Sequence, residues 1–171
     1  MNAVPSHLSR APDLFRPLVG FRHWRLASGG LRSLVCDVAW PAATLTARCH
    51  AGGHHTHPPV DECSCGIYAW YRPCPVRHSA ATSEVVAGAV VLWGDVELHT
   101  GGMRAQHCRV VALALPLSRG RKRRRVCAVA ERLGVPVVPH RALTRVVHAL
   151  GAPVPDALKP PGPQVIGIVT R

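Results

Sequence analysis

Two periods divide this chain. Before Pro116 the apolar residues fall in short β-type runs; after it they recur at helical spacing. Residues 20–26 alternate, Phe21 with Arg22 and Trp24 with Arg25, until Ser28-Gly29-Gly30 interrupts and Leu31 to Val35 resumes the apolar run. Two β-favouring runs around a glycine pair predict a hairpin. Trp40-Pro41 breaks the second run, 45–48 is a candidate third strand, and 67–71 suits a short helix or strand. The clearest pattern is 85–99, where Asp95, Glu97 and His99 alternate with Val96 and Leu98. Thr100-Gly101-Gly102 then turns the chain and 103–115 runs back, a second and longer hairpin.

Beyond Pro116, Val126, Val129, Ala130 and Leu133 share one helical face, and Gly134 stands where a helix stops. Pro136 and Pro139 make 135–138 extended, and Leu143, Val146, Val147 and Leu150 stripe a second helix over 140–150. The expected fold class is α+β: an antiparallel β-rich body, a curved sheet or small barrel, with two C-terminal amphipathic helices. The expected organisation is a flexible arm over 1–19, a β-rich body over 20–118 with a Cys/His loop at 49–66, a basic helical region over 119–159, and a Pro-rich linker and tail over 160–171, where 165–169 is apolar enough for a last strand. The four tryptophans, Trp24, Trp40, Trp70 and Trp93, are expected to carry much of the core.

Charge sharpens this division. The chain carries +12, but residues 1–118 hold only 10 Lys+Arg against 7 Asp+Glu, whereas 119–171 hold 11 against 2. A GC-rich coding bias explains the choice of Arg over Lys but not this local imbalance. A concentrated positive field attracts polyanions, so nucleic acid is the expected partner and an acidic protein the alternative. Six cations fall within seven residues: Arg119, Arg121, Lys122, Arg123, Arg124 and Arg125. They either precede a helix as a solvated linker or open it against the positive end of its dipole, at a cost that an anionic partner offsets. Arg141 and Arg145 on the second helix join the candidate nucleic-acid contacts. A helix-turn-helix would also expose Thr144 and His148 there, but Pro136 and Pro139 in the turn favour helix, short parallel strand, helix. The N-terminus lacks a signal-peptide apolar region and no run spans a bilayer, so the expected setting is cytoplasmic, with no membrane contact.

In that setting seven cysteines do not read as a disulfide framework. Cys49, His50, His54, His55, His57, Cys63 and Cys65 crowd into 17 residues. Thiolate and imidazole in fours are the donors of a structural zinc site. Cys49, Cys63 and Cys65 with His57 are the expected set, because Pro58 and Pro59 stiffen the backbone behind His57; His50, His54 and His55 are the alternatives. Gly66 lets the chain bend around an ion. Three cysteines alone would leave a position open for water, with Glu62 or a histidine as base. Cys36, Cys108 and Cys127 are expected to be buried in regular elements, and Cys74, between two prolines, to be an exposed loop residue.

The segments Cys49 to His57-Pro58, Cys63-Ser-Cys65-Gly66-Ile67-Tyr68-Ala69, Val91-Leu92-Trp93-Gly94 and 130–139 resemble an uncharacterised group of small proteins from high-GC bacteria. The resemblance covers most of the chain, supports reading the three cysteines as a unit, and implies no activity. No nucleophile elbow, phosphate loop, dinucleotide fingerprint or zinc-deaminase pattern occurs. The expectation is a non-catalytic zinc protein that contacts nucleic acid through its Arg-rich segment. The alternatives are a metal-dependent hydrolase or nuclease with an open Cys/His site, and a regulatory factor that binds another protein.

Overall fold

A computed structural model describes residues 16–50, 55–74, 84–117 and 120–161. The expectations for most of the N-terminal arm, for a strand at 165–169, for Arg119 and for His54 fall outside the described residues. The strands run β1 (Leu18–Ala27), β2 (Gly30–Ser33), β3 (Ala39–Trp40), β4 (Thr44–Thr46), β5 (Ile67–Trp70), β6 (Val85–Leu98) and β7 (Gly102–Ala114). Helix α1 (Arg121–Leu133), strand β8 (Val137–Val138) and helix α2 (Leu143–His148) follow. The α+β class with a β-rich body and two helices near the C-terminus is what the residues build.

The two hairpins set the architecture. β1 turns into β2 at Ser28-Gly29, with Ala27 opposite Gly30. β6 and β7 pair along nearly their whole length, with register shifts at Ala89/Val90 and Trp93/Val96 that bend the ribbon. β1 lies antiparallel on the free edge of β6, from Leu18 opposite Leu92 to Arg25 opposite Val85. The other edge of β7 carries β5, β4 and β8 in succession. β5 also reaches β1 through the single pair Phe21 and Trp70. The circuit β1–β6–β7–β5 therefore returns on itself as a partly closed barrel.

Alternation sends side chains to two cores, one on each side of the sheet. Trp24, Leu26, Leu31, Trp40, Leu92 and Leu113 belong to the first, which α1 covers with Val126, Val129, Ala130 and Leu133. Phe21, Ala89, Val91 and Ala112 belong to the second, which α2 covers with Leu143 and Val147. At α1's end Gly134 adopts φ 65°, the left-handed conformation in which its N–H caps the last turn. The extended segment after it is β8, parallel to β7, so the connection is helix, strand, helix. Before β1, the chain is clasped by the segment after α2: Val19 N–H donates to Ala152 O and Ala152 N–H to Pro17 O, both at 2.9 Å.

Two expectations about the interior need correction. Trp24 and Trp40 are buried and meet edge to face at 5.4 Å, but Trp70 is 53% exposed and Trp93 only half-buried. Both lie on the face of their strands turned away from the first core, so alternation overrides their size. Cys108 is buried, and burial pushes its thiol up to about 12. Cys36 and Cys127 are exposed, Cys36 in the turn after β2 and Cys127 on the outer side of α1; Cys74 is exposed as expected. Among the described residues no helix is long and apolar enough to cross a membrane.

Candidate metal centre and basic surface

Residues 55–66 form no regular element, and only Pro58 and Cys65 among them are buried. Cys49 leaves β4's side of the barrel and Cys65 sits just before β5, so both ends of this loop are fixed by strands on neighbouring stretches of β7. The loop folds back between them: Cys63 N–H donates to Val60 O, and Gly66 takes φ 120° with the β-carbons of Arg104 and Pro59 packed close against it.

This brings Cys49, His55, Cys63 and Cys65 together, with their ligand atoms all within 4.8 Å of one another. Cys49 Sγ and Cys63 Sγ are 3.8 Å apart, as are Cys65 Sγ and His55 Nδ1. A tetrahedral ion with metal–sulfur bonds of about 2.3 Å has edges of about 3.8 Å between its sulfurs. The four groups can hold a metal ion, and four protein donors complete a tetrahedron. The three cysteines are those expected from the spacing; the histidine gathered with them is His55. His57 is exposed and stands outside the group, because Pro58 takes the inward, buried place beside it. His50 is exposed as well, and so is Glu62, the residue considered as a base for an open site. Burial, followed by the neighbouring Cys63 and Cys49, raises the pKa of Cys65, so protons hold this thiol group unless a cation replaces them.

The spacing gave no hint of what anchors the loop. Arg104 on β7 is 4% exposed, and its guanidinium donates to three loop carbonyls: Cys63 O, Cys65 O at 2.9 Å and Val60 O at 3.2 Å. Its Nε donates at 2.8 Å to Glu97, itself 6% exposed and paired with Arg104 across the β6–β7 ladder. A buried arginine is tolerated only with its charge matched and its donors used, and here carboxylate and loop share that work. The visible signal was Glu97 and Arg104 placed symmetrically about Thr100-Gly101, where a hairpin sets them opposite each other.

The basic run is helical from Arg121, with no acidic residue in its first turn and no side-chain cap. Its cations divide by role. Arg125 pairs with Glu84 and donates to Leu26 O at 3.1 Å, which ties α1 to the first hairpin. Lys122 is half-buried, and burial lowers its pKa against the pull of Glu84. Arg121, Arg123 and Arg124 are exposed. Arg141, in the 3-10 turn just before α2, and Arg145 on α2 are exposed too, but α2 packs on the second core, on the opposite side of the sheet from α1. No family model, no curated protein and no solved structure matches this chain.

Proposed function

We propose that this chain is a non-catalytic zinc protein that binds nucleic acid through the phosphate backbone, with Arg121, Arg123 and Arg124 of α1 as the principal contacts. The observation that carries the reading is the exposed, uncapped and acid-free first turn of α1. Cations at a helix N-terminus oppose the dipole, and phosphates set among them relieve both. Arg141 and Arg145 lie on the other face and serve a separate contact or none. Zinc suits the donor set, because three thiolates and an imidazole select a soft, tetrahedral ion. The shell formed by Cys49, His55, Cys63 and Cys65 leaves no place for a reacting water, which favours a structural role over a hydrolase.

The test has two parts. Elemental analysis of untagged protein should give about one zinc per chain, with three thiols becoming reactive on chelation. Binding to a nucleic-acid duplex should weaken steeply with salt, and the triple substitution Arg121→Ala, Arg123→Ala and Arg124→Ala should lower the log–log salt slope by about 2 to 3. Binding absent at low salt, or an unchanged slope, rejects the nucleic-acid reading.

A further inference from the structure

Among the described residues, Tyr68 (44% exposed) and Trp70 (53%) are the only aromatics of the chain that count as large exposed hydrophobics. Both lie on β5, whose burial alternates strictly: Ile67 and Ala69 enter the first core and the two rings face solvent. Alternate residues on a strand stand about 6.6 Å apart along it, room for two consecutive bases, each on its own ring. The rings are held in place. The Tyr68 hydroxyl donates to Ser64 O at 3.1 Å, and His99 stacks at 6.2 Å on one side of its ring. Trp70 lies beside Gly101, with closest approaches of 3.8 and 4.0 Å to the position of an added β-carbon, so the residue next to the indole carries no side chain to cover it.

Cations continue from this platform. Trp70 is opposite the buried Phe21 on β1; further along the same face come His23, half-buried with its Nε2 2.8 Å from Cys74 O, and the exposed Arg25. Arg25 is opposite Arg32 on β2, and one carboxylate, Asp37, pairs with both, so the cluster keeps a positive charge. The end of β1 is where Arg125 fastens α1. From Phe21 to Leu26 the strand covers about 17 Å, a length suited to a site of several nucleotides.

We propose that β5 is a stacking platform and that the ligand is a single-stranded nucleic acid, its bases on Tyr68 and Trp70 and its phosphates beside Arg25 and Arg32 on the same face of the sheet. The proposal rests on the nucleic-acid reading above and adds the ligand's class. Duplex bases are already stacked and paired, so they cannot use open rings; unpaired bases can, without regard to sequence.

The experiment compares binding of the zinc-loaded full chain to an oligothymidine strand of about twelve nucleotides and to a duplex of the same length. The single strand should bind at least about tenfold tighter and quench tryptophan fluorescence. Trp70→Ala should weaken single-strand binding about tenfold, with the duplex unaffected, and Trp70→Phe should recover most of the loss. Zinc content and circular dichroism establish that each variant is folded; if Trp70→Ala fails this check, Tyr68→Phe and Tyr68→Leu, which keep and remove the ring, decide the question. Equal binding of strand and duplex, both reduced by the α1 triple substitution and indifferent to Trp70, overturns the platform while the phosphate contact stands. No binding of either at low salt removes both.

Discussion

The β6–β7 hairpin and loop residues 55–66 lie side by side and are ordered by opposite means. The hairpin buries most of its side chains on one core or the other, and Ala89, Val90, Leu92, Val110 and Leu113 have no exposure at all. The loop's described side chains are exposed or half-buried, with Pro58 and Cys65 its only buried members among the described residues. Apolar burial at roughly 25 cal/mol per Å² orders the first. The second has too little apolar area to offset its chain entropy, and directional polar groups do that work instead: the guanidinium of Arg104 and, on the zinc reading proposed above, the four Cys/His donors around the ion. A segment without a core can hold one shape if its few contacts are directional and share a rigid neighbour.

Three perturbations separate these two modes of ordering. The largest effect should come from Glu97→Leu, which leaves Arg104 buried with its charge unmatched. We expect a loss of about 3 to 5 kcal/mol in denaturant unfolding, together with faster zinc loss to a chelator, since Arg104 no longer holds the loop carbonyls. Unchanged zinc retention would separate the ion pair from the metal centre. Leu92→Ala, at a position without exposure in the first core, should cost about 2 to 4 kcal/mol and leave zinc stoichiometry at one per chain. If metal content falls with it, the loop depends on the core more than its contacts indicate. The most local effect should follow acidification. The Cys65 thiol is pushed up by burial and by its sulfur neighbours, so protons compete increasingly well for the site as pH falls. Zinc should leave on acidification and return on raising the pH, and hydrogen exchange should accelerate over 55–65 while β6 and β7 stay protected. Simultaneous loss of protection in both regions would show that the hairpin leans on the loop.

Elements that rest on local pattern were legible in the sequence. The long hairpin showed in its alternation and its Gly101-Gly102 turn, and the end of α1 in Gly134, because backbone conformation and side-chain period are local quantities. The three cysteines could be read from their crowding, but the histidine could not. The stiffness of Pro58-Pro59 pointed to His57, whereas its neighbour Pro58 packs inward and His55 turns to the sulfurs; tertiary packing decides which side of an irregular loop faces in. The same gap explains Trp70, assigned to the core for its size and exposed through its register on β5. Cys127 is a subtler case: it lies in the predicted helix, but its position around the axis is off the stripe of Val126, Val129, Ala130 and Leu133. Arg104 and Glu97 carried a weak sequence signal, their symmetry about the turn, yet the carbonyls they serve come from a distant loop.

The clasp between Pro17–Val19 and Ala152 joins an early stretch of the chain to a late one. On a ribosome, β1 emerges first and must wait for β6 before it has a long partner, and its opening residues wait further, until α2 has been made and the segment after it has cleared the exit tunnel. The barrel can therefore assemble in the order of synthesis, but the clasp at the start of β1 closes last. A nascent chain halted before Ala152 would present the start of β1 as an unsealed edge to whatever lies near the ribosome.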